Sequence, residues 1–296
     1  MCIGLFTLFG TCEKENHVKT DVKPVNERNM TFGSYGEMHN EVLKFFYEEA
    51  NGEEIVRNNL TPEVGVEMIN AVTPFLLKKN ISQEEIDYLK EIAPEYLSPV
   101  TDLISNIDSL SLTPDYIFTA ESLDKIMGKE TFDYYYTDML VSANASIEFI
   151  NAVKEVFAFI RENSCDMEAC VNFVVNDFGS TSFNNSHDEK MKHTFIDIFT
   201  HSASFWENFL SEKNAMINVN STSNSRECIH LGTYKQGTVC IVIDTLVGLI
   251  TVETGAGSII IGGGASAVAY ELLDAERYDA WLIGGSIIIT PHPPRT

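Results

Sequence analysis

Ser34–Glu41, which reads Ser-Tyr-Gly-Glu-Met-His-Asn-Glu, is the stretch that decides how the chain starts to fold. Its serine and the glutamate three residues later are spaced as a capping box, in which each side chain satisfies an exposed N–H group of the other residue. Apolar residues then follow at helical spacing, at Met38, Val42, Phe45 and Phe46. The segment therefore predicts an amphipathic helix that begins just after Ser34.

Similar helix starts recur along the chain. Ser82 and Glu85 form a second capping box, and a cap followed by proline occurs at Thr61-Pro62, Ser98-Pro99 and Thr113-Pro114. Apolar periodicity predicts longer helices at about 137–161 and 187–213, separated by a polar loop at about 176–186. Together these signals predict a mainly α fold, an irregular multi-helix bundle with a helical body over residues 34–213.

Residues 214–296 form a Gly-rich, apolar C-terminal region. Between Val239 and Leu273 the charged residues are Asp244, Glu253 and Glu271. Close-packed glycines support helix packing in membranes, but they also suit a tightly packed core element of a soluble protein. The pentapeptide Gly-Ser-Ile-Ile-Ile occurs at 257–261 and again at 285–289. Helices and a strand pair both remain open for this region.

The N-terminus has the pattern of an export signal. An apolar run over residues 1–12 ends in Thr11-Cys12, and polar residues follow at once. This resembles the end of a bacterial lipoprotein signal, which implies lipidation of Cys12 and a polar tether over residues 13–33. No Lys or Arg precedes the apolar run, whereas export signals normally start with one. A short buried N-terminal element is the structural alternative.

Cleavage and lipidation at Cys12 would leave four cysteines, Cys165, Cys170, Cys228 and Cys240. An even number in an oxidising compartment permits two disulfides. Cys165–Cys170 with Cys228–Cys240 is the simplest of three pairings, and four reduced thiols in a core are the alternative.

The charge balance limits the partners of this protein. Twenty Lys and Arg face 43 Asp and Glu, which gives a formal net charge of −23. Such a surface repels phosphate backbones, so we expect no nucleic-acid partner. The expected partners are a membrane, through the lipid, and a protein or small molecule that the sequence does not identify.

The first candidate site is the Gly-x-x-His-Asn stretch within Ser34–Glu41, which holds Glu37, His39 and Asn40. A histidine between acids can donate a proton or bind a metal, although packing or local capping explains it as well. The stretch, together with Asp244 ahead of the Gly/Ala-rich segment 262–267, resembles uncharacterised exported bacterial lipoprotein-like proteins. That resemblance implies an envelope location and no particular activity.

A second candidate is a ladder of acidic and imidazole side chains at Glu189, His193, Asp197 and His201. Residues four apart lie along one side of a helix. His193, Asp197 and His201 could therefore bind zinc or another divalent ion, but a solvated polar face explains the same pattern.

The sequence carries no Gly-x-Ser-x-Gly, no His-Glu-x-x-His and no phosphate-binding loop. We therefore expect no cofactor and favour a non-catalytic lipoprotein of the cell envelope, periplasmic or surface-facing, with a binding or structural role. The alternatives are a protein that associates with membranes through its Gly-rich tail, as bacteriocin-like peptides do, and a metal-dependent enzyme.

Overall fold

A computed structural model describes residues 34–58, 61–108, 136–163, 166–218, 228–250, 256–274, 278–283 and 286–291. The signal-like segment 1–12 with Cys12, the tether 13–33 and the start signal at Thr113-Pro114 lie outside the described residues.

Helices dominate the described part of the chain, which confirms the mainly α prediction. In chain order they are α1 Tyr35–Glu48, α2 Gly52–Asn58, α3 Val64–Lys78, α4 Gln83–Asp108, α5 Thr137–Ser142, α6 Ile147–Glu162, α7 Met167–Asn172, α8 Ser186–Asn218, α9 Leu231–Ile250 and α10 Ala256–Asp274. A π-helical segment, Phe173–Phe178, directly follows α7.

The two capping boxes begin helices as predicted. At α1, Glu37 N donates to Ser34 Oγ (3.2 Å). At α4 the exchange is reciprocal, since Ser82 N donates to Glu85 Oε2 (2.8 Å) and Glu85 N donates to Ser82 Oγ (3.2 Å). The proline after Thr61 does not occupy the first helical position, because residues 61–63 form a turn and α3 begins at Val64.

The predicted helix over 137–161 is wrong as a single element. It breaks between α5 and α6, where Asn144 adopts a left-handed conformation (φ 60°) that asparagine tolerates. Ser146 then caps α6 by accepting from Phe149 N (3.2 Å). The buried Asp188 at the start of α8 accepts from Ser146 N (3.1 Å), so a distant helix holds the break in place.

The C-terminal region contains both helices and strands. Strands β1 (Cys228–His230), β2 (Tyr278–Ile283) and β3 (Ser286–Pro291) form an antiparallel sheet in the order β1-β2-β3, with Trp281 paired to Ile288. The repeated pentapeptide therefore adopts two conformations, because residues 257–261 lie in α10 and Ser286–Ile289 lies in β3. Tertiary context decides its conformation.

Helix α10 lies inside the bundle, with a different neighbour for each of three consecutive glycines. A Cβ at Gly262 would face α9, 3.1 Å from the carbonyl oxygen of Asp244. One at Gly263 would face Leu43 of α1 (3.3 Å), and one at Gly264 would face Met68 of α3 (3.6 Å). Helix α8 continues past residue 213 to Asn218, and α9 and α10 share one hydrophobic cluster with α1, α3 and α8.

Alanine at Gly262 and at Gly264 should have opposite effects on stability. At Gly262 the new methyl group presses on the backbone of α9, an overpacking that costs about 1–3 kcal/mol. At Gly264 it meets the flexible end of Met68 at ordinary contact distance, so helix propensity can add up to about 1 kcal/mol. Urea unfolding measures both, and a Gly262→Ala protein as stable as Gly264→Ala would contradict this packing.

No helix in the described ranges combines the length and apolar character needed to cross a membrane.

Candidate functional site

His39 and Asp244, two of the residues singled out in the sequence, meet in the interior of the bundle. His39 Nε2 on α1 lies 2.8 Å from Asp244 Oδ1 on α9. Both side chains are sealed from solvent, with exposed fractions of 1% and 0%. The two groups form a buried ion pair, and among the described residues neither of these two atoms has a further hydrogen-bond partner.

The other carboxylate oxygen of Asp244 accepts two hydrogen bonds from α8. Ser202 Oγ and Trp206 Nε1 both donate to Oδ2, the latter at 2.8 Å. Both donors are fully buried. Asp244 therefore joins α9 to α8 and α1 at once, which suits a carboxylate because it accepts several hydrogen bonds.

Asn40 completes the polar contacts of His39. Its Oδ1 lies 3.0 Å from His39 Nδ1, while its Nδ2 donates to the carbonyl oxygen of His201 on α8 (2.9 Å). Because a carbonyl only accepts, the amide nitrogen of Asn40 must face His201, and its oxygen must face the imidazole. We call His39, Asn40, Ser202, Trp206 and Asp244 the clasp.

The contacts of Gly36 with α8 explain why the Gly-x-x-His-Asn stretch begins with glycine. Its N–H donates to Asp197 Oδ2 (2.9 Å). A Cβ there would lie 2.5 Å from the carbonyl oxygen of Asp197 and closer still to the His201 ring. Glycine therefore lets the first turn of α1 touch the backbone of α8, and the three motif residues together dock α1.

The electrostatic environment favours the protonated form of His39. Burial lowers the pKa of His39. The charge of Asp244 and hydrogen bonding to Asp244 and Asn40 together raise it by more, so the pKa lies above its ordinary value.

Sequence reasoning found part of the clasp. His39, Asn40 and Asp244 were named, and the structure brings them together, whereas Glu37 is exposed and lies apart from them. Ser202 and Trp206 were missed. The available signal was a serine four residues before a tryptophan on the apolar stripe of α8, where a polar side chain needs a buried partner.

The predicted metal ladder on α8 does not assemble. His193 is exposed, Glu189 pairs with Lys192 (2.7 Å), and Asp197 bonds to Gly36 of α1. His201 Nδ1 lies 2.8 Å from the backbone oxygen of Asp197. Among the described residues no group of three or more His, Cys, Asp or Glu side chains could hold a metal ion.

The structure describes the side chains of two of the four cysteines in the predicted disulfides. Cys170 and Cys240 are buried thiols in the hydrophobic core, and Cys170 Sγ donates to the carbonyl oxygen of Asn163 (3.4 Å). The side chains of Cys165 and Cys228 lie outside the described residues. The pairings Cys165–Cys170 and Cys228–Cys240 therefore stay predictions, because the side chain of one cysteine of each pair lies outside what the structure describes.

A surface groove of about 510 Å³ lies between α1 and α3. Charged side chains rim it over an aromatic floor of Phe45 and Phe75, and no clasp residue lines it. His39 and Asp244 are thus sealed from solvent, and neither lines this groove. Comparison with protein-family models, curated proteins and solved structures gave no match.

Proposed function

We propose that this chain is a non-catalytic lipoprotein of the bacterial cell envelope with a binding or structural role, and that the Gly-x-x-His-Asn stretch is its internal docking motif. One observation carries this proposal. His39 and Asp244, the candidates for acid–base chemistry, are buried against each other and against protein donors. A general acid or base must come within hydrogen-bond reach of a substrate, and this pair is closed to one.

The envelope part of the proposal rests on the N-terminal sequence. The apolar run that ends at Cys12 and the polar segment after it match the anchor and tether of a lipoprotein. A chain with a net charge of −23 has no electrostatic attraction to anionic lipid. The lipid on Cys12 would therefore supply the membrane attachment.

Fractionation of native cells tests the anchor. We expect Cys12→Ala to move the protein from the membrane pellet to the soluble fraction, because the acyl chains supply its membrane affinity. Cys2→Ala is the matched control, since cleavage before Cys12 removes residue 2 and the variant should stay in the pellet. Mass spectrometry of the mature N-terminus should find an acylated Cys12, and an unmodified Met1 terminus would refute the anchor.

The same fractionation decides the alternative in which the Gly-rich tail holds the protein on a membrane. Helix α10 packs against α1, α3 and α9 through successive glycines, so insertion would require it to leave the core. Persistence of Cys12→Ala in the membrane pellet would favour the tail over the lipid.

A further inference from the structure

The polar atoms around the His39 ring fix how many protons the clasp holds. Nδ1 faces the oxygen of Asn40, and Nε2 faces a carboxylate oxygen of Asp244, so both neighbours are acceptors. The Asn40 amide cannot turn over, because its nitrogen donates to the carbonyl of His201. One proton must therefore lie on Nδ1 and another between Nε2 and Asp244 Oδ1.

Loss of either proton places two acceptors against each other, and the contact between Nε2 and Oδ1 is sealed from solvent. If the ring keeps its Nδ1 proton, the lone pair of Nε2 faces the Asp244 carboxylate. If it keeps its Nε2 proton, the lone pair of Nδ1 faces the Asn40 oxygen. Ser202 and Trp206 still donate to Asp244 Oδ2. The other carboxylate oxygen, Oδ1, is then buried without a donor to compensate its charge.

Other titratable groups among the described residues also lie near this part of α1. Helix α8 presents Asp197 and His201, and α9 presents Asp244. Lys79, just after α3, pairs with Glu41 at the surface. Glu54 of α2 bonds to Asn51. From α10 the neighbour of His39 is Gly263. Among these groups Asp244 alone touches the imidazole.

We propose that the clasp is a proton-controlled latch: the closed bundle holds one proton between His39 Nε2 and Asp244 Oδ1, and loss of that proton releases α1 from α8 and α10. This inference rests on the proposed structural role of the clasp. Release is local, since α6 and the π-helical segment pack against α8 through the rings of Phe157, Phe178 and Phe195, none of which belongs to the clasp.

The direction of the pH dependence follows from linkage. A histidine whose pKa is raised on closing contributes its full stabilisation below the ordinary value of 6.5 and loses it as pH rises toward the higher closed-state pKa. Within that window the opening constant should rise about tenfold per pH unit, because opening releases one proton.

Hydrogen exchange on the full chain tests the latch. We expect protection factors in α1, corrected for the intrinsic pH dependence of exchange, to fall about tenfold per pH unit above pH ~6.5 while those in α6 stay constant. His193→Gln, which removes an exposed histidine of α8, should keep this fall. The double variant His39→Gln/Asp244→Asn removes both members of the pair and should show no fall, whatever its overall stability.

Constant α1 protection between about pH 6 and about pH 9 in the natural protein would overturn the latch, because linkage requires the change. So would a fall that survives in the double variant or disappears in His201→Gln alone. A different measurement tests the structural role of the clasp. If Asp244 variants unfold at the same denaturant concentration as the natural protein, that role is refuted.

Discussion

Asp244→Ala will lower the free energy of unfolding by about 3–5 kcal/mol, the loss typical of removing one partner from a buried ion pair. The substitution leaves the His39 imidazole without its counter-charge and two buried donors, on Ser202 and Trp206, without an acceptor. Because Asp244 connects α9 with α1 and α8, all three helices lose a contact together. Urea unfolding followed by circular dichroism measures the change.

Trp206 gives this experiment a local reporter. In a Trp281→Phe background the remaining tryptophan donates directly to Asp244, so its emission should change in Asp244→Ala even where the protein stays folded. Asp177→Ala, at an exposed aspartate of the π-helical segment, is the matched control and should change stability by about 0.5 kcal/mol or less. Equal stability of the two variants would contradict the clasp.

The second large effect is expected at Gly36. Alanine there places a methyl group 2.5 Å from the carbonyl oxygen of Asp197, so α1 must move away from α8. We expect a loss of about 3 kcal/mol, at the upper end of overpacking, because the obstacle is backbone and the Asn40 and His39 contacts move with the helix.

Two further variants separate this clash from the general effect of replacing a glycine. Gly179→Ala meets a neighbouring side chain only at 3.5 Å, so its stability should stay the same or rise. His201→Ala combined with Gly36→Ala should not restore stability, since the Asp197 carbonyl remains in place. Full rescue by His201→Ala would show that the side chain, and not the backbone, sets the requirement for glycine.

Local chemistry made part of the fold predictable. Ser34 and Ser82 predict helix starts because the residues of a capping box lie within four consecutive positions. The break at Asn144 was missed because apolar periodicity continues across it and the contact that fixes it comes from Asp188 of a distant helix. The repeated Gly-Ser-Ile-Ile-Ile could not be assigned locally, since its Ser-Ile-Ile-Ile part lies in a helix in one copy and in a strand in the other.

Some residues of the clasp could be predicted from the sequence, but the contacts between them could not. His39 and Asp244 stand out because a histidine among acids and a lone carboxylate in an apolar run both need a partner. The sequence around His39 and around Asp244 does not show that these two residues are partners, because the packing of α1, α8 and α9 brings them together. For the predicted metal site on α8 the local pattern was misleading. Helical periodicity placed four side chains along α8, but Gly36 and Asn40 of α1 bond to Asp197 and to the backbone of His201.

The glycines of α10 also restrict how this protein can change in length over evolution. One residue inserted in α10 ahead of Ile261 would turn the following part of the helix by about 100°. A branched isoleucine would then confront the Asp244 carbonyl, and each glycine would face the wrong neighbour. Lineages of this protein should therefore accumulate substitutions in α10 far more readily than insertions or deletions.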